Sequence, residues 1–157
     1  NHSRLVEPEP FIGVHIRRGD YLSFPGSKSH GAVGAEYVVR AIKALRRLGA
    51  EGRVLVFSDE PETVRLELYS LLDDCHFVET TDSALSDLRA MSRASHFVMS
   101  NSTFGWWAAW LVHQRGGTVV APRPWFPDDT AASDLLLPEW LTLGSMNVDS
   151  ECEYLDK

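Results

Sequence analysis

Only two of the 157 residues are cysteines, Cys75 and Cys152. That is too few for the disulfide framework of a small secreted domain, and the pattern reads as a reduced, intracellular chain. Apolar runs of some twenty residues, the length a membrane-spanning helix needs, are absent, and the first residues lack the basic and apolar regions of a signal peptide. Positive charge is also short. With 15 Lys and Arg against 22 Asp and Glu, the formal net charge is -7 and the pI near 5.3. Such a balance argues against nucleic acid or an anionic membrane as a general partner. The glycines make neither a dinucleotide-binding nor a P-loop pattern, and no serine stands in a nucleophile elbow. His2, His15, His30, His76, His96 and His113 lack the spacing of a zinc site.

What remains is an ordinary soluble composition, 44% hydrophobic and 24% charged, in a chain long enough for one core and too short for two domains. Strands are predicted at Phe11–Ile16, Arg53–Ser58, Cys75–Val78, Ser95–Met99 and Thr118–Ala121, where short apolar runs end in turn residues. Between them lie helical patterns. One runs from Ala35 to Leu48 with Tyr37, Val38, Ala41, Ile42, Leu45 and Leu48 on its apolar face, and ends at Gly49. A second begins around Asp59-Glu60-Pro61 and carries Val64, Leu68, Leu71 and Leu72. A third is capped by Asp82 or Ser83 and runs through Leu85, Leu88 and Met91. The fourth, Phe104 to Val112, holds Trp106, Trp107 and Trp110, expected to pack into the core, whereas Trp125 and Phe126 are either the more exposed aromatic candidates or a seal on the sheet edge. Alternating strands and helices predict an α/β fold, a parallel sheet with helices on both faces. Residues 11–148 form the domain, 1–10 a polar entry segment and 149–157 an acidic tail.

Chemistry concentrates at three strand ends, which right-handed crossovers place on one edge of such a sheet. The first is His15-Ile16-Arg17-Arg18-Gly19-Asp20-Tyr21. Paired guanidiniums suit the oxygens of a diphosphate, and strand alternation sends one of Arg17 and Arg18 into the crevice and the other toward the structure beneath. His15 either hydrogen-bonds a nucleotide or tethers the loop. Asp20 either orients an arginine or takes a proton from an incoming hydroxyl. At the second end, Asp59 or Glu60 can accept from a base or ribose hydroxyl, against the plainer role of capping the next helix. At the third, Ser100, Asn101, Ser102 and Thr103 offer hydroxyls and free amides to phosphate oxygens without a metal, against a plain N-cap. Asn101-Ser102-Thr103 is formally a glycosylation acceptor, but its place beneath a core helix excludes modification.

At these residues the chain resembles the bacterial α-1,2-fucosyltransferases of glycosyltransferase family eleven, which also includes the animal H-antigen enzymes. The resemblance rests on His15 to Tyr21, on Val56-Phe57-Ser58-Asp59-Glu60, and on Ser100-Asn101-Ser102-Thr103-Phe104-Gly105-Trp106-Trp107-Ala108-Ala109-Trp110-Leu111. It continues through Val120-Ala121-Pro122 and Trp125-Phe126 to Asp134, Pro138 and Trp140. Glu60 departs from the more usual second aspartate.

This resemblance implies metal-independent transfer of fucose from GDP-fucose to the 2-hydroxyl of a terminal galactoside, with inversion. It implies a Rossmann-like, carboxyl-terminal donor-binding half of a GT-B-like enzyme. Arg17 becomes the diphosphate ligand, followed by Arg18; His15 and Asp59 lie near guanosine; Ser102 and Thr103 flank the phosphates; Asp20 is the motif-based candidate for the base, with Glu36 a rival. Related enzymes carry an amino-terminal domain before the first motif, so this chain is expected to pack against one that it lacks, and to be a fragment that is inactive alone. The alternatives are a noncatalytic GDP-sugar-binding module and a fucosyltransferase of another linkage. The expected location is the bacterial cytoplasm or the cytoplasmic face of the inner membrane.

Overall fold

A computed structural model describes residues 9–18, 33–79, 83–125 and 134–144. Among these residues six strands form one sheet: β1 (Phe11–Ile16), β2 (Arg53–Ser58), β3 (Cys75–Phe77), β4 (His96–Val98), β5 (Thr118–Arg123) and β6 (Leu141–Gly144). Their order is β3-β2-β1-β4-β5-β6, and every pairing is parallel. This is the doubly wound, Rossmann-like arrangement, and the strand order reverses between β1 and β4. β1 lies in the middle, paired along its whole length with β2 from Phe11↔Arg53 to Ile16↔Ser58 and on its other side with β4. Burial on both faces explains why it reads as a nearly unbroken apolar run.

Among the described residues four helices cover the sheet: α1 (Ala35–Arg47), α2 (Pro61–Tyr69), α3 (Ala84–Met91) and α4 (Thr103–Gln114). Strand alternation divides the core into two layers. Ile12, Val14 and Ile16 of β1 pack with Val54 and Val56 against Tyr37, Val38, Ala41 and Leu45 of α1 and Val64 and Leu68 of α2. On the other face Phe57, Phe97 and Met99 meet Met91 of α3 and Ala108, Ala109 and Val112 of α4. The small residues of α4 bring its axis close to the sheet. Gly13 serves the same closeness, because a Cβ there would come within 2.7 Å of Phe97 Cδ2.

Both long helices end in the same device. Gly49, at φ +91°, lets its own N–H reach the Arg46 carbonyl and the Ala50 N–H reach that of Leu45, each at 3.0 Å. Gly116, at φ +85°, and Gly117 repeat this with His113 and Val112. Glycine is required there because the left-handed conformation strains any residue with a Cβ.

The structure departs from expectation in four places. β6 was not anticipated; it is a four-residue edge strand, too short for a clear period. Leu71 and Leu72 follow the end of α2, which stops at Tyr69. Leu48, expected on the apolar face of the first helix, is the C-cap of α1 and exposed. Of the helix tryptophans, Trp106 and Trp110 pack against the core as expected, but Trp107 is 55% exposed, and Trp125 is buried against the α4 layer and not exposed. Asp82, Phe126 and the acidic tail lie outside the described residues. Among the described residues no helix is long and apolar enough to cross a membrane.

Candidate functional site

β1, β2 and β4 end on one edge, and the side chains they deliver follow from strand parity. His15 turns into the α3/α4 layer and Ile16 into the α1/α2 layer. The next two residues keep that alternation. Arg17 enters a cavity of about 230 Å³ beside His15, whereas Arg18 turns toward α2. The cavity wall comprises His15, Arg17, Phe57, Ser58, Asp59, Ala84, Asp87, Met91 and Phe104. Arg17 is its one cation among the described residues, facing two carboxylates and an apolar remainder.

His15 is buried and closely held. Its Nδ1 is 3.3 Å from Ser100 Oγ, and the edge of its ring meets Phe104 with centroids 5.7 Å apart. Gly105 leaves the space for this ring. Burial lowers the His15 pKa from near 6.5 to about 4; Asp59 and Asp87 oppose that shift, and Arg17 adds to it. At neutral pH the imidazole is therefore an uncharged hydrogen-bonding group.

Arg18 is only 4% exposed. Its Nη1 donates to the Val33 carbonyl at 2.6 Å and its Nη2 to Glu67 Oε2 of α2 at 2.5 Å. Its backbone N–H donates to Asp59 Oδ1 at 2.8 Å. Asp59 thus faces the cavity while anchoring the exit of β1. Glu60 is exposed and stands at the N-cap of α2, where its carboxylate accepts from the Thr63 hydroxyl at 3.4 Å and its own N–H donates to Ser58 Oγ at 3.1 Å.

At the end of β4, Ser100, Asn101 and Ser102 are buried, and Thr103 is exposed as the first residue of α4. Asn101 Nδ2 donates to the Trp125 carbonyl at 3.3 Å, and Ser102 Oγ accepts the Gly105 N–H at 3.5 Å as the N-cap of α4. The cavity therefore gathers His15, Arg17 and Asp59 from the expected set. Arg18, Glu60 and Ser100 to Thr103 stand beside it rather than in its wall, and Asp20 lies outside the described residues. Glu36 is exposed in the first turn of α1.

Sequence reasoning missed the contribution of α3. Ala84, Asp87 and Met91 recur at intervals of three and four, one face of a helix, and that face closes the cavity. The pattern was visible, but a lone aspartate in a first turn reads as an ordinary partner of the helix dipole. Among the described residues no group of His, Cys, Asp and Glu is arranged to hold a metal ion.

A doubly wound parallel sheet with a cavity at its carboxyl edge, beside the reversal of strand order, defines the chain as an open α/β domain of the Rossmann-like class. The chain belongs to glycosyl transferase family 11, whose model matches residues 2–144. It is 35% identical to an alpha-1,2-colitosyltransferase of Escherichia coli over 84% of this chain and 47% of that protein. It is 32% identical to the O-antigen biosynthesis glycosyltransferase WbnK of Escherichia coli, over 88% of this chain and 46% of the relative. A galactoside alpha-(1,2)-fucosyltransferase 1 of Leontopithecus chrysomelas is 31% identical over 88% of this chain and 40% of its own length. The chain thus spans about half the length, or less, of these curated relatives. Among solved structures it is similar to POFUT1 in complex with GDP, at a TM-score of 0.42 and 18% identity, covering 71% of this chain and 42% of that one.

Proposed function

We propose that this chain forms the donor-binding half of a GT-B-like galactoside α-1,2-fucosyltransferase, with GDP-fucose as the donor. The supporting observation is the division of the cavity: one guanidinium, Arg17, opposite two carboxylates, Asp59 and Asp87, between apolar walls. A diphosphate placed by Arg17 gains a charge-assisted fork, with the N-terminus of α4 nearby as a second source of positive potential. The carboxylates would repel phosphate but accept hydrogen bonds from ribose hydroxyls and from the N–H edge of guanine. Phe57, Met91 and Phe104 suit a planar base, and neutral His15 adds a hydrogen-bonding group without adding charge.

In the reaction, the acceptor 2-hydroxyl attacks C1 of fucose as the bond from C1 to the β-phosphate oxygen breaks on the opposite face. C1 gains oxocarbenium character, the anomeric centre inverts, and Arg17 stabilises the charge that develops on departing GDP. Asp20 is our candidate to take the hydroxyl proton. This reading assigns charge neutralisation to Arg17 and the α4 N-terminus and calls on no metal. A second domain packed over the carboxyl edge of the sheet would bring the galactose-terminated acceptor into register.

A second reading concerns the donor sugar alone, since the Escherichia coli relative at 35% identity is named for colitose rather than fucose. Titrating the protein with GDP, GDP-fucose and GDP-colitose by calorimetry, with and without a chelator, tests both. Arg17→Ala should weaken all three by roughly 10- to 100-fold, the loss of a hydrogen bond to a charged group. Unchanged binding in that variant would remove the donor-site reading. Binding without transfer in the full-length protein would instead favour a noncatalytic GDP-sugar module.

A further inference from the structure

The two adjacent arginines leave β1 in opposite directions, and only Arg17 meets the cavity. Three contacts fix the peptide that follows it. The Arg18 N–H is held by Asp59 at the end of β2, and the Arg18 guanidinium bridges the Val33 carbonyl, just ahead of α1, to Glu67 on α2. A guanidinium is planar and rigid, so a fork engaged on both arms resists rotation in a way that a single contact does not. Glu67 is 37% exposed in its side chain and Arg18 5%, so the pair is anchored at its inner end and reachable from solvent at its outer end.

We propose that Glu67 is a positioning residue for the nucleotide-sugar site: by holding Arg18 against α2, it sets the direction in which Arg17 enters the cavity. The inference rests on the reading of Arg17 as a diphosphate ligand. It makes Arg18 a strut between α2, the start of α1 and β1, and it gives a helix outside the cavity control over affinity within it.

Two consequences separate a strut from simple electrostatics. Glu67 is an acid near an anion site, so by charge alone its removal should tighten the binding of GDP. A strut predicts the opposite sign. Glu67→Ala and Glu67→Gln also remove the same charge, yet glutamine retains an oxygen that accepts from Arg18. Charge alone gives these two variants equal affinity, whereas a strut leaves the glutamine variant the tighter binder.

The test is a calorimetric GDP titration of the wild-type protein, Glu67→Ala, Glu67→Gln, Arg17→Ala, Arg17→Lys and Arg17→Lys/Glu67→Ala, each checked for cooperative unfolding above the assay temperature. Glu67→Ala should weaken GDP about tenfold, the scale of coupling between residues in one network, with Glu67→Gln intermediate. In the Arg17→Lys background the effect of Glu67→Ala should shrink, because a flexible point charge depends less on its direction of entry than a planar fork does. If Glu67→Ala does not fold, weaker binding by Glu67→Gln than by the wild type carries the same sign. Loss of binding in Arg17→Ala together with unchanged or tighter binding in the Glu67 variants would overturn the strut and leave the donor site standing. A full Glu67→Ala effect in the Arg17→Lys background would also overturn it, by assigning Arg18 to the ligand directly. Intact binding in Arg17→Ala would overturn both readings.

Discussion

The imidazole of His15 occupies the space that a side chain at residue 105 would need: a Cβ on Gly105 would lie 2.7 Å from His15 Nδ1. The glycine of the tryptophan-rich segment and the histidine of the arginine motif are therefore one packing unit, although ninety residues separate them. Gly105→Ala should force the ring away from Ser100 and Phe104. The expected cost is about 1–3 kcal/mol of stability, as for other overpacked cores, with weaker GDP binding besides. Thermal unfolding and GDP titration of that variant check the two effects separately.

His15 also makes stability depend on pH. Its folded-state pKa is depressed to about 4, against an ordinary value near 6.5. Between those values the unfolded chain binds a proton at this site that the folded chain does not. Stability is thus complete above pH 6.5 and falls as pH drops through the window, by an order-of-magnitude total of about 3 kcal/mol. Urea titrations between pH 7 and 4 should show this slope, and His15→Asn should flatten it relative to the wild type.

Tyr37 of α1 is wholly buried, and its hydroxyl lies 2.9 Å from the Met99 carbonyl and 3.2 Å from that of Val120. One proton serves both acceptors, joining α1 to the end of β4 and the middle of β5. Tyr37→Phe keeps the ring but takes this donor from the Met99 carbonyl, while that of Val120 keeps the Met99 N–H at 3.0 Å, at a cost of about 1–3 kcal/mol. Denaturant unfolding should show a lower midpoint with an unchanged slope.

The tryptophans divide by position rather than by type. Trp107→Gln removes an indole that is 55% exposed and should change stability by about 0.5 kcal/mol or less. Trp140, 4% exposed, lies with its ring centroid 5.7 Å from that of Trp106, and Trp140→Ala should cost about 3–5 kcal/mol. Equal losses in the two variants would contradict the packing described for α4.

The fold was largely readable because its signals are local. Five of six strands are short apolar runs ending in turn residues, and Gly49 and Gly116-Gly117 mark the ends of α1 and α4. Parity within β1 already required Arg17 and Arg18 to diverge. Which face of the sheet carried the cavity was not readable from parity alone, because that depends on how α3 and α4 pack beside His15. Asp87 was missed for a similar reason: its role arises from α3 packing beside α4, a tertiary fact. Trp107 was misjudged because composition cannot tell which side of an apolar helix the sheet takes.

Parity has a further consequence for how the β1 motif tolerates changes in length. β1 is hydrogen-bonded on both sides, so its core register is fixed and an added or lost residue at its end must be absorbed downstream. One residue inserted after Ile16 would move Arg17 into the strut position and leave the cavity without its cation. One residue deleted there would move Arg18 into the cavity and put Gly19 where the strut belongs. Insertion and deletion at this point are therefore opposite lesions: the first disarms the site and keeps its frame, while the second arms the site and removes what aims it.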